Sequence, residues 1–222
     1  MSARAAMTST IRRALHVSGD DAQRAAAVAD RLRKRPTGVI PARGQLPREE
    51  RIALFMTMAE KAAATTERLS ERGDVPRAVA QYLRNQNLPA AIRHGDDPVL
   101  AGLDWTNTNV DVQRGAAVDS DTASLSHAPT AIAETGSLLL MSGPDNPTTL
   151  NFLPPGHLVV VRAEDIEGDH EAAWARVRSL VGDRHLPRTV NLVTGPSRSA
   201  DIQQTMLMGA HGPKTLHILV VG

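Results

Sequence analysis

Short apolar runs that do not alternate with polar residues constrain the fold of this chain more than any other feature. The strand candidates, from strong to modest, are Thr130–Ala133, Ser137–Met141, His157–Arg162, Thr189–Thr194, Leu216–Val221, Ala90–Arg93 and Val110–Gln113. Several are apolar on both faces, which is typical of strands inside a sheet that is covered on both sides. Helical patterns at Asp169–Val181 and Ser199–Met208 would supply the cover. The sequence therefore predicts an α/β fold, a three-layer αβα sandwich with a mixed, mainly parallel sheet.

The N-terminal part of the chain has the pattern of a basic helical arm followed by a linker. Thr10–His16 and Asp21–Arg35 have helical patterns. Three prolines and two glycines lie between residues 36 and 47, which is a linker composition. We therefore expect an N-terminal helical extension over residues 1–46 and an α/β domain over residues 47–222.

Two helices are predicted at the start of the α/β domain. The first runs from Arg48 to about Arg72 and ends at Gly73, because glycine is a common helix C-cap. The second begins after Asp74, which suits an N-cap, and continues through Gln86.

Charge is distributed unevenly along the chain. The first 51 residues hold eleven Lys or Arg against five Asp or Glu, and the remainder holds fourteen against nineteen. The basic front lacks the interleaved aromatic residues of a nucleic-acid surface, so we expect no nucleic-acid binding. A solvated arm or a docking surface for an acidic partner is the favoured interpretation.

No apolar run approaches the ~18 residues of a membrane span, so we expect none. Residues 1–19 carry arginines and no acid, which superficially imitates an organellar transit peptide, but they lack the apolar centre of a secretory signal. Cytoplasmic localisation is the default expectation.

Cysteine is absent from the chain, which excludes disulfides, thiolate-ligated zinc and cysteine-ligated iron–sulfur clusters within it. Histidines are scattered rather than paired at ligand spacing, so no metal site is predicted. The fingerprints of dinucleotide, phosphate-loop and nucleophile-elbow enzymes are missing as well. Candidate chemistry must therefore come from clusters at strand ends, where open α/β sheets bind ligands.

The first cluster joins two apolar strands through a tight turn. Glu134 is its only ionisable group, and as a strand-end carboxylate it is a candidate general base or nucleophile. Thr135 and Ser137 offer hydroxyls to a ligand, and Gly136 permits a positive φ. The alternative is an ordinary hairpin in which Glu134 faces water or holds a backbone amide.

The second cluster follows the strand Thr189–Thr194. Gly195, Ser197, Arg198 and Ser199 are predicted to open a helix whose free amides bind a carboxylate or phosphate. Asp201, the catalytic candidate of this cluster, would lie in the first turn, where it could accept from the exposed amides, orient Arg198 or hold a substrate hydroxyl. The alternative is a capped helix with no ligand.

The third cluster is a glycine-framed turn before the last strand. His211, beside Gly212, is the candidate for proton transfer near neutral pH. Its alternative role is to cap the C-terminus of the helix predicted before it. His157 is interpreted as a structural residue at a strand entry.

Four ordered motifs resemble one known family. The motifs are Ala131–Ser137, Leu153–His157, Gly195–Ile202 and Gly209–Pro213. Together they resemble the lactate-utilization protein C family, which is built on the LUD domain. The resemblance implies a sugar-isomerase and CoA-transferase-like αβα fold. It also implies a three-protein system that oxidises L-lactate to pyruvate, in which two companion proteins are the iron–sulfur carriers.

Three hypotheses about function follow. The leading one is a subunit of an L-lactate dehydrogenase-type complex that binds lactate or pyruvate near Ser197, with Glu134 and His211 available for proton movement. Its clusters would lie in partner subunits, and this chain would hold no cofactor. The second is a free-standing isomerase, ligase or CoA-dependent enzyme acting on a small anionic metabolite. The third is a non-catalytic assembly or regulatory subunit. The sequence leaves the oligomeric state open.

Overall fold

The computed structural model describes residues 2–18, 21–182, 186–202 and 205–222, and between residues 199 and 207 it describes only the backbone. The chain divides into two units, Met1–Val39 and Ile40–Gly222. The predicted boundary at residue 46 stays a prediction.

The described part of the first unit contains two helices, α1 (Ala3–Ala14) and α2 (Ala22–Lys34). Each begins at a side-chain cap, because Ser2 Oγ accepts from the amide of Ala5 and Asp21 Oδ1 from that of Arg24. Neither helix has a buried residue. The helical arm is therefore confirmed, although α1 begins earlier than the pattern indicates.

Within its described residues, the second unit contains two sheets, a hairpin and further helices. Its α-helices are α3 (Arg48–Lys61), α4 (Val75–Asn85), α5 (Pro98–Ala101), α6 (Thr148–Phe152) and α7 (His170–Val181). Its strands are β1 (Thr65–Leu69), β2 (Ala91–His94), β3 (Asp111–Arg114), β4 (Ala123–Ala128), β5 (Thr130–Ile132), β6 (Ser137–Met141), β7 (Gly156–Arg162), β8 (Ile166–Glu167), β9 (Val190–Val193), β10 (Arg198–Ile202), β11 (Thr205–Met208) and β12 (Thr215–Val221).

A parallel sheet of six strands is the centre of this unit, in the order β1-β12-β7-β4-β2-β3. A second sheet has the order β8-β5-β6-β9 and mixed directions, and β10 pairs with β11 alone.

Alternate side chains of the central strands enter different apolar clusters. Val159 and Val161 pack with residues of α3 and of the second sheet, such as Phe55. Leu158 and Val160 pack on the other face with residues of α4. Since successive strand residues point to opposite faces, both faces of β7 are buried. The prediction of a three-layer α/β fold from unalternating apolar runs is confirmed.

The long helix predicted over Arg48–Arg72 is wrong in its second half. The helix ends at Lys61, and the chain turns through Ala63, whose φ is +68°. The following segment then forms β1, in which the β-branched Thr66 pairs with Ile218 of β12. Pairing at the edge of the parallel sheet outweighs the helical pattern.

The helix predicted over Ser199–Met208 is also wrong. This segment forms the antiparallel hairpin of β10 and β11, in which Arg198 pairs with Met208. Serine and aspartate at the start of the segment suit a helix cap, but backbone hydrogen bonds between the two strands replace those of a helix.

No helix in the described part of the chain is both long and apolar enough to cross a membrane.

Candidate functional site

Two of the predicted glycines face the backbone of α3. Gly136 and Gly195 have φ of +67° and +72°. A Cβ on Gly136 would overlap the backbone at Met58 and Ala59, and one on Gly195 would overlap the carbonyl oxygen of Ala62. The β5–β6 turn and the loop after β9 are thus both fitted against the end of α3, and this packing by itself requires glycine.

A chain of hydroxyl groups connects these two segments. Ser137 Oγ lies 2.7 Å from Thr135 Oγ1 and 2.6 Å from Thr194 Oγ1. The contact with Thr194 follows from the antiparallel pairing of β6 with β9, which places Leu138 opposite Val193. Thr135 and Ser137 are therefore linked to the second cluster through Thr194.

The second and third clusters form one cavity of about 290 Å³, here called the Ser197 cavity. Its two loops are tied together by backbone hydrogen bonds: the amide of Ser197 donates to Pro213 O, and the amide of Gly209 to Ser197 O, both at 2.9 Å. The amide of His211 donates to Ser197 Oγ at 3.3 Å. The predicted residues that line the cavity are Gly195, Ser197, Arg198, His211 and Gly212.

The predicted helix start at this cavity is wrong, and with it the anion site that depended on helical amides. Ser197 precedes a strand, and Arg198 and Ser199 are in β10. Asp201 is in the same strand rather than in a first helical turn, and its side chain, like that of Ser199, lies outside the described part of the structure. His211 follows β11, so it does not cap a helix.

A buried polar network forms the inner wall of the Ser197 cavity. His157 and Asn151 line the cavity, and both contact Ser126 Oγ, which lies 3.0 Å from His157 Nε2 and 3.2 Å from Asn151 Oδ1. Asn146 Oδ1 is also 3.0 Å from that hydroxyl. Because Ser126 has one proton to donate and two amide oxygens beside it, it accepts from His157, whose ring proton is then on Nε2.

Two nitrogen atoms of this wall are unpaired. His157 Nδ1 and Asn151 Nδ2 are buried, and neither has a hydrogen-bond partner among the described residues. Burial lowers the pKa of His157 from 6.5 to about 3, so its ring is neutral near pH 7. The wall therefore offers a ligand two unused nitrogen atoms, the acceptor His157 Nδ1 and the donor Asn151 Nδ2.

Glu134 is not one of the described residues that line the Ser197 cavity. Its carboxylate is 5% exposed, with Oε1 3.0 Å from His170 Nδ1 and Oε2 3.4 Å from Arg43 Nε. Arg43 reaches it because Gly44 and Gly168 cross so closely that a Cβ on either would overlap the carbonyl of the other. Both oxygens of Glu134 are thus engaged, one by Arg43 in the segment before α3 and the other by His170 at the start of α7.

Sequence reasoning did not find Asn151, Thr194, Arg43 or His170, and it gave His157 only a structural role. Thr194 ends a strand candidate beside the second motif, which is a usable signal. The other contacts join residues far apart in the chain, such as Arg43 and Glu134, and no local pattern indicates them. Within the described residues, no three His, Asp or Glu side chains are placed to hold a metal ion.

The sequence model of the LUD domain family matches residues 48–221 of this chain. The chain belongs to the LUD domain family. This match covers both cavity-forming loops, the buried network and the central sheet, and it confirms the family indicated by the four motifs.

Curated relatives of this LUD protein include several lactate utilization proteins. An uncharacterized protein of Neisseria meningitidis is 34% identical over 150 residues, 65% of this chain and 64% of that protein. Lactate utilization protein C of a Geobacillus species is 30% identical over 128 residues, 53% of each chain. The same protein of Geobacillus thermodenitrificans is 25% identical over 168 residues, 74% of this chain and 70% of the relative. The match thus spans less than two thirds of the first two relatives.

A solved structure has the same fold. The crystal structure of a DUF162 family protein from Deinococcus radiodurans superposes with a TM-score of 0.59 at 25% identity. The match covers 80% of this chain and 99% of that one.

Proposed function

We propose that this LUD protein is the substrate-handling component of a lactate utilization system, and that L-lactate or pyruvate binds in the Ser197 cavity. The system would oxidise L-lactate to pyruvate together with two iron–sulfur proteins. Relatives named lactate utilization protein C support the role in lactate utilization. The iron–sulfur clusters belong to the partners in this proposal, because this chain has no cysteine to ligate them.

The observation that carries the choice of ligand is the unpaired donor and acceptor in the wall of the cavity. A 2-hydroxy acid has a hydroxyl group that can donate to His157 Nδ1 and a carboxylate that can accept from Asn151 Nδ2. A buried polar group without a hydrogen-bond partner destabilises the protein by about 1–3 kcal/mol. Hydrogen bonds from a ligand to both atoms would remove this penalty and so favour binding. Arg198, exposed at the same cavity, adds a positive charge that attracts the carboxylate.

Oxidation of L-lactate to pyruvate removes two electrons and two protons. In the proposal the two electrons pass to the iron–sulfur partners, this chain binds the substrate and accepts the proton of the hydroxyl group, and the proton from the C2 carbon is released to solvent. His157 is neutral and buried, so it positions the hydroxyl group as an acceptor. His211 is the solvent-exposed imidazole of the cavity, and we assign it to proton release. Glu134 and Asp201, which the sequence also offers as catalytic groups, stay predictions that single substitutions test.

A pull-down from the native host tests the assembly. The tagged chain is purified from cells grown on L-lactate, and an optical spectrum is recorded of the eluate. The expected result is two cysteine-rich partners with iron–sulfur absorption, and loss of growth on lactate when the gene is deleted. Normal growth of the deletion strain together with an eluate free of iron–sulfur protein would overturn the proposal.

Thermal shift measurements separate this function from that of a free-standing enzyme. A ligand that binds only the folded state stabilises it in proportion to ln(1 + [L]/Kd). We expect stabilisation by L-lactate and pyruvate. Stabilisation by phosphosugars, acyl-CoA or folates, without any by lactate, would favour the free-standing enzyme instead.

A further inference from the structure

The strand order of the parallel sheet reverses between β2 and β4. From β2 the chain continues outward to β3 at one edge, and from β4 it continues through β7 to β12 toward the other edge. The connections that leave β2 and β4 therefore diverge. In open α/β sheets the crevice at the carboxyl ends of two such strands is the usual ligand site.

A cavity of about 480 Å³ opens at this point, here called the switch-point cavity. Asp97 follows the carboxyl end of β2, and His127 is next to last in β4. Both line the cavity. Most of the remaining lining is apolar, and it includes Val99, Pro129 and Met141. The cavity is thus an apolar pocket with a titratable pair at the end of the sheet.

Asp97 and His127 form a shielded pair. His127 Nδ1 lies 3.0 Å from Asp97 Oδ2, and the two side chains are 11% and 13% exposed. Burial raises the pKa of Asp97, but hydrogen bonds from His127 and from the amides of Val99 and Leu100 outweigh it and hold that pKa below its usual range. Asp97 therefore stays a carboxylate that accepts the Nδ1 proton of His127.

This arrangement leaves the other ring nitrogen available. With its proton on Nδ1, the neutral ring of His127 has its lone pair on Nε2. That atom is buried and has no hydrogen-bond partner among the described residues. An aspartate that fixes the tautomer of a histidine and compensates its charge is the arrangement of a general base.

The charges around this cavity indicate the class of ligand. Among its described lining residues there is no lysine or arginine, and two of them, Asp97 and Asp145, are carboxylates. An anion would be repelled there, in contrast to the Ser197 cavity with Arg198. An apolar body with one polar oxygen matches the lining best.

We propose that the switch-point cavity is a second ligand site, which takes a small uncharged molecule with an apolar body and a hydroxyl or carbonyl group, and that Asp97 and His127 are its acid–base pair. A hydroxyl group gives its proton to His127 Nε2, and the charge of the resulting imidazolium is compensated by Asp97. The oxyanion left behind takes the same proton back in the reverse direction, and a carbonyl oxygen, which has no proton to give, accepts a hydrogen bond from Nε2 of the imidazolium instead. Asn146 lines this cavity and also contacts Ser126 in the wall of the Ser197 cavity, but the inference does not rest on the proposed lactate site and stands or falls separately.

Nitrogen-15 NMR of histidine-labelled protein tests this inference. Cyclohexanol and cyclohexanone serve as uncharged probes, and cyclohexanecarboxylate is an anion of matched size. We expect His127 in the Nδ1–H tautomer, a saturable shift of its Nε2 resonance with cyclohexanol, which donates to the Nε2 lone pair, a shift with cyclohexanone only when the ring is an imidazolium, and none with the carboxylate. The His127→Gln variant should lose ligand-detected binding of both probes, and the Asp97→Asn variant should lose the tautomer preference.

The control variant is His211→Gln, in the Ser197 cavity, which should leave the response of His127 unchanged. The measurements on the unsubstituted protein are sufficient to refute the inference, so the test remains valid even if a variant does not fold. His127 in the Nε2–H tautomer, no saturable shift with cyclohexanol, or an equal shift with the carboxylate would each overturn it.

Discussion

Acidification from pH 7 to pH 5 should destabilise this protein through buried histidines, one of which is His157. Its pKa is about 3 in the folded state against the usual 6.5. Between these values the unfolded chain binds a proton that the folded protein does not, so stability rises with pH. The stability that comes from keeping His157 neutral is fully present above about pH 6.5 and is lost progressively as the pH falls toward 3. For His157 the loss between pH 7 and pH 5 is about 2 kcal/mol.

His217 adds a loss of similar size. It is stacked on Tyr82 with ring centroids 4.5 Å apart, and burial lowers its pKa to about 4. The unsubstituted protein should therefore lose about 4 kcal/mol of its free energy of unfolding over this range.

Urea unfolding at pH 7, 6 and 5 measures this dependence for the unsubstituted protein and for His157→Asn. The substitution itself lowers the free energy of unfolding at pH 7. The further decrease between pH 7 and pH 5 should be about half that of the unsubstituted protein, near 2 kcal/mol. His16→Asn, in the exposed arm, is the matched control and should keep the full loss. Equal pH dependence in His157→Asn and the unsubstituted protein would refute the account of a neutral, buried His157.

Three further predictions concern the packing and the assigned roles. Gly168→Ala should cost about 1–3 kcal/mol because its Cβ meets the backbone of the segment before α3, whereas Gly73→Ala, which has room, should be nearly neutral in the same urea assay. Glu134→Gln should lower the free energy of unfolding by about 1 kcal/mol, because two ion pairs are lost. Its affinity for L-lactate, measured by calorimetry, should be unchanged. A folded variant that does not bind L-lactate would instead support the predicted catalytic role of Glu134. His211→Ala should leave that affinity unchanged but slow growth on lactate, and unimpaired growth would remove it from proton transfer.

The sequence predicts best those elements that are stabilised by local contacts or by the burial of apolar side chains alone. β6 agrees with its predicted range residue for residue, because Ser137–Met141 is a continuous apolar run between turn residues. β4 was missed because Ser124, Ser126 and His127 make it look polar. Each of those residues has a hydrogen-bond partner from a distant part of the chain, and that is not visible in a short window.

The same limit applies to the candidate site. The motifs indicate that Ser197 and His211 belong together, and the structure places them at one cavity. The sequence assigned an anion site to helical amides that do not form, because strand pairing of β10 with β11 decides that segment. Asp97 and His127 are thirty residues apart and meet only through the pairing of β2 with β4.

The most direct test of the proposed function is calorimetric titration of the purified chain with L-lactate and with propionate, which lacks the 2-hydroxyl group. The account predicts saturable binding of L-lactate and about tenfold weaker binding of propionate, because the hydrogen bond to His157 is lost. Asn151→Leu should lose lactate binding, and Arg84→Ala, an exposed arginine on α4, should retain it. Absence of lactate binding, or equal affinity for both acids in the unsubstituted protein, would contradict the assignment of the Ser197 cavity to a 2-hydroxy acid.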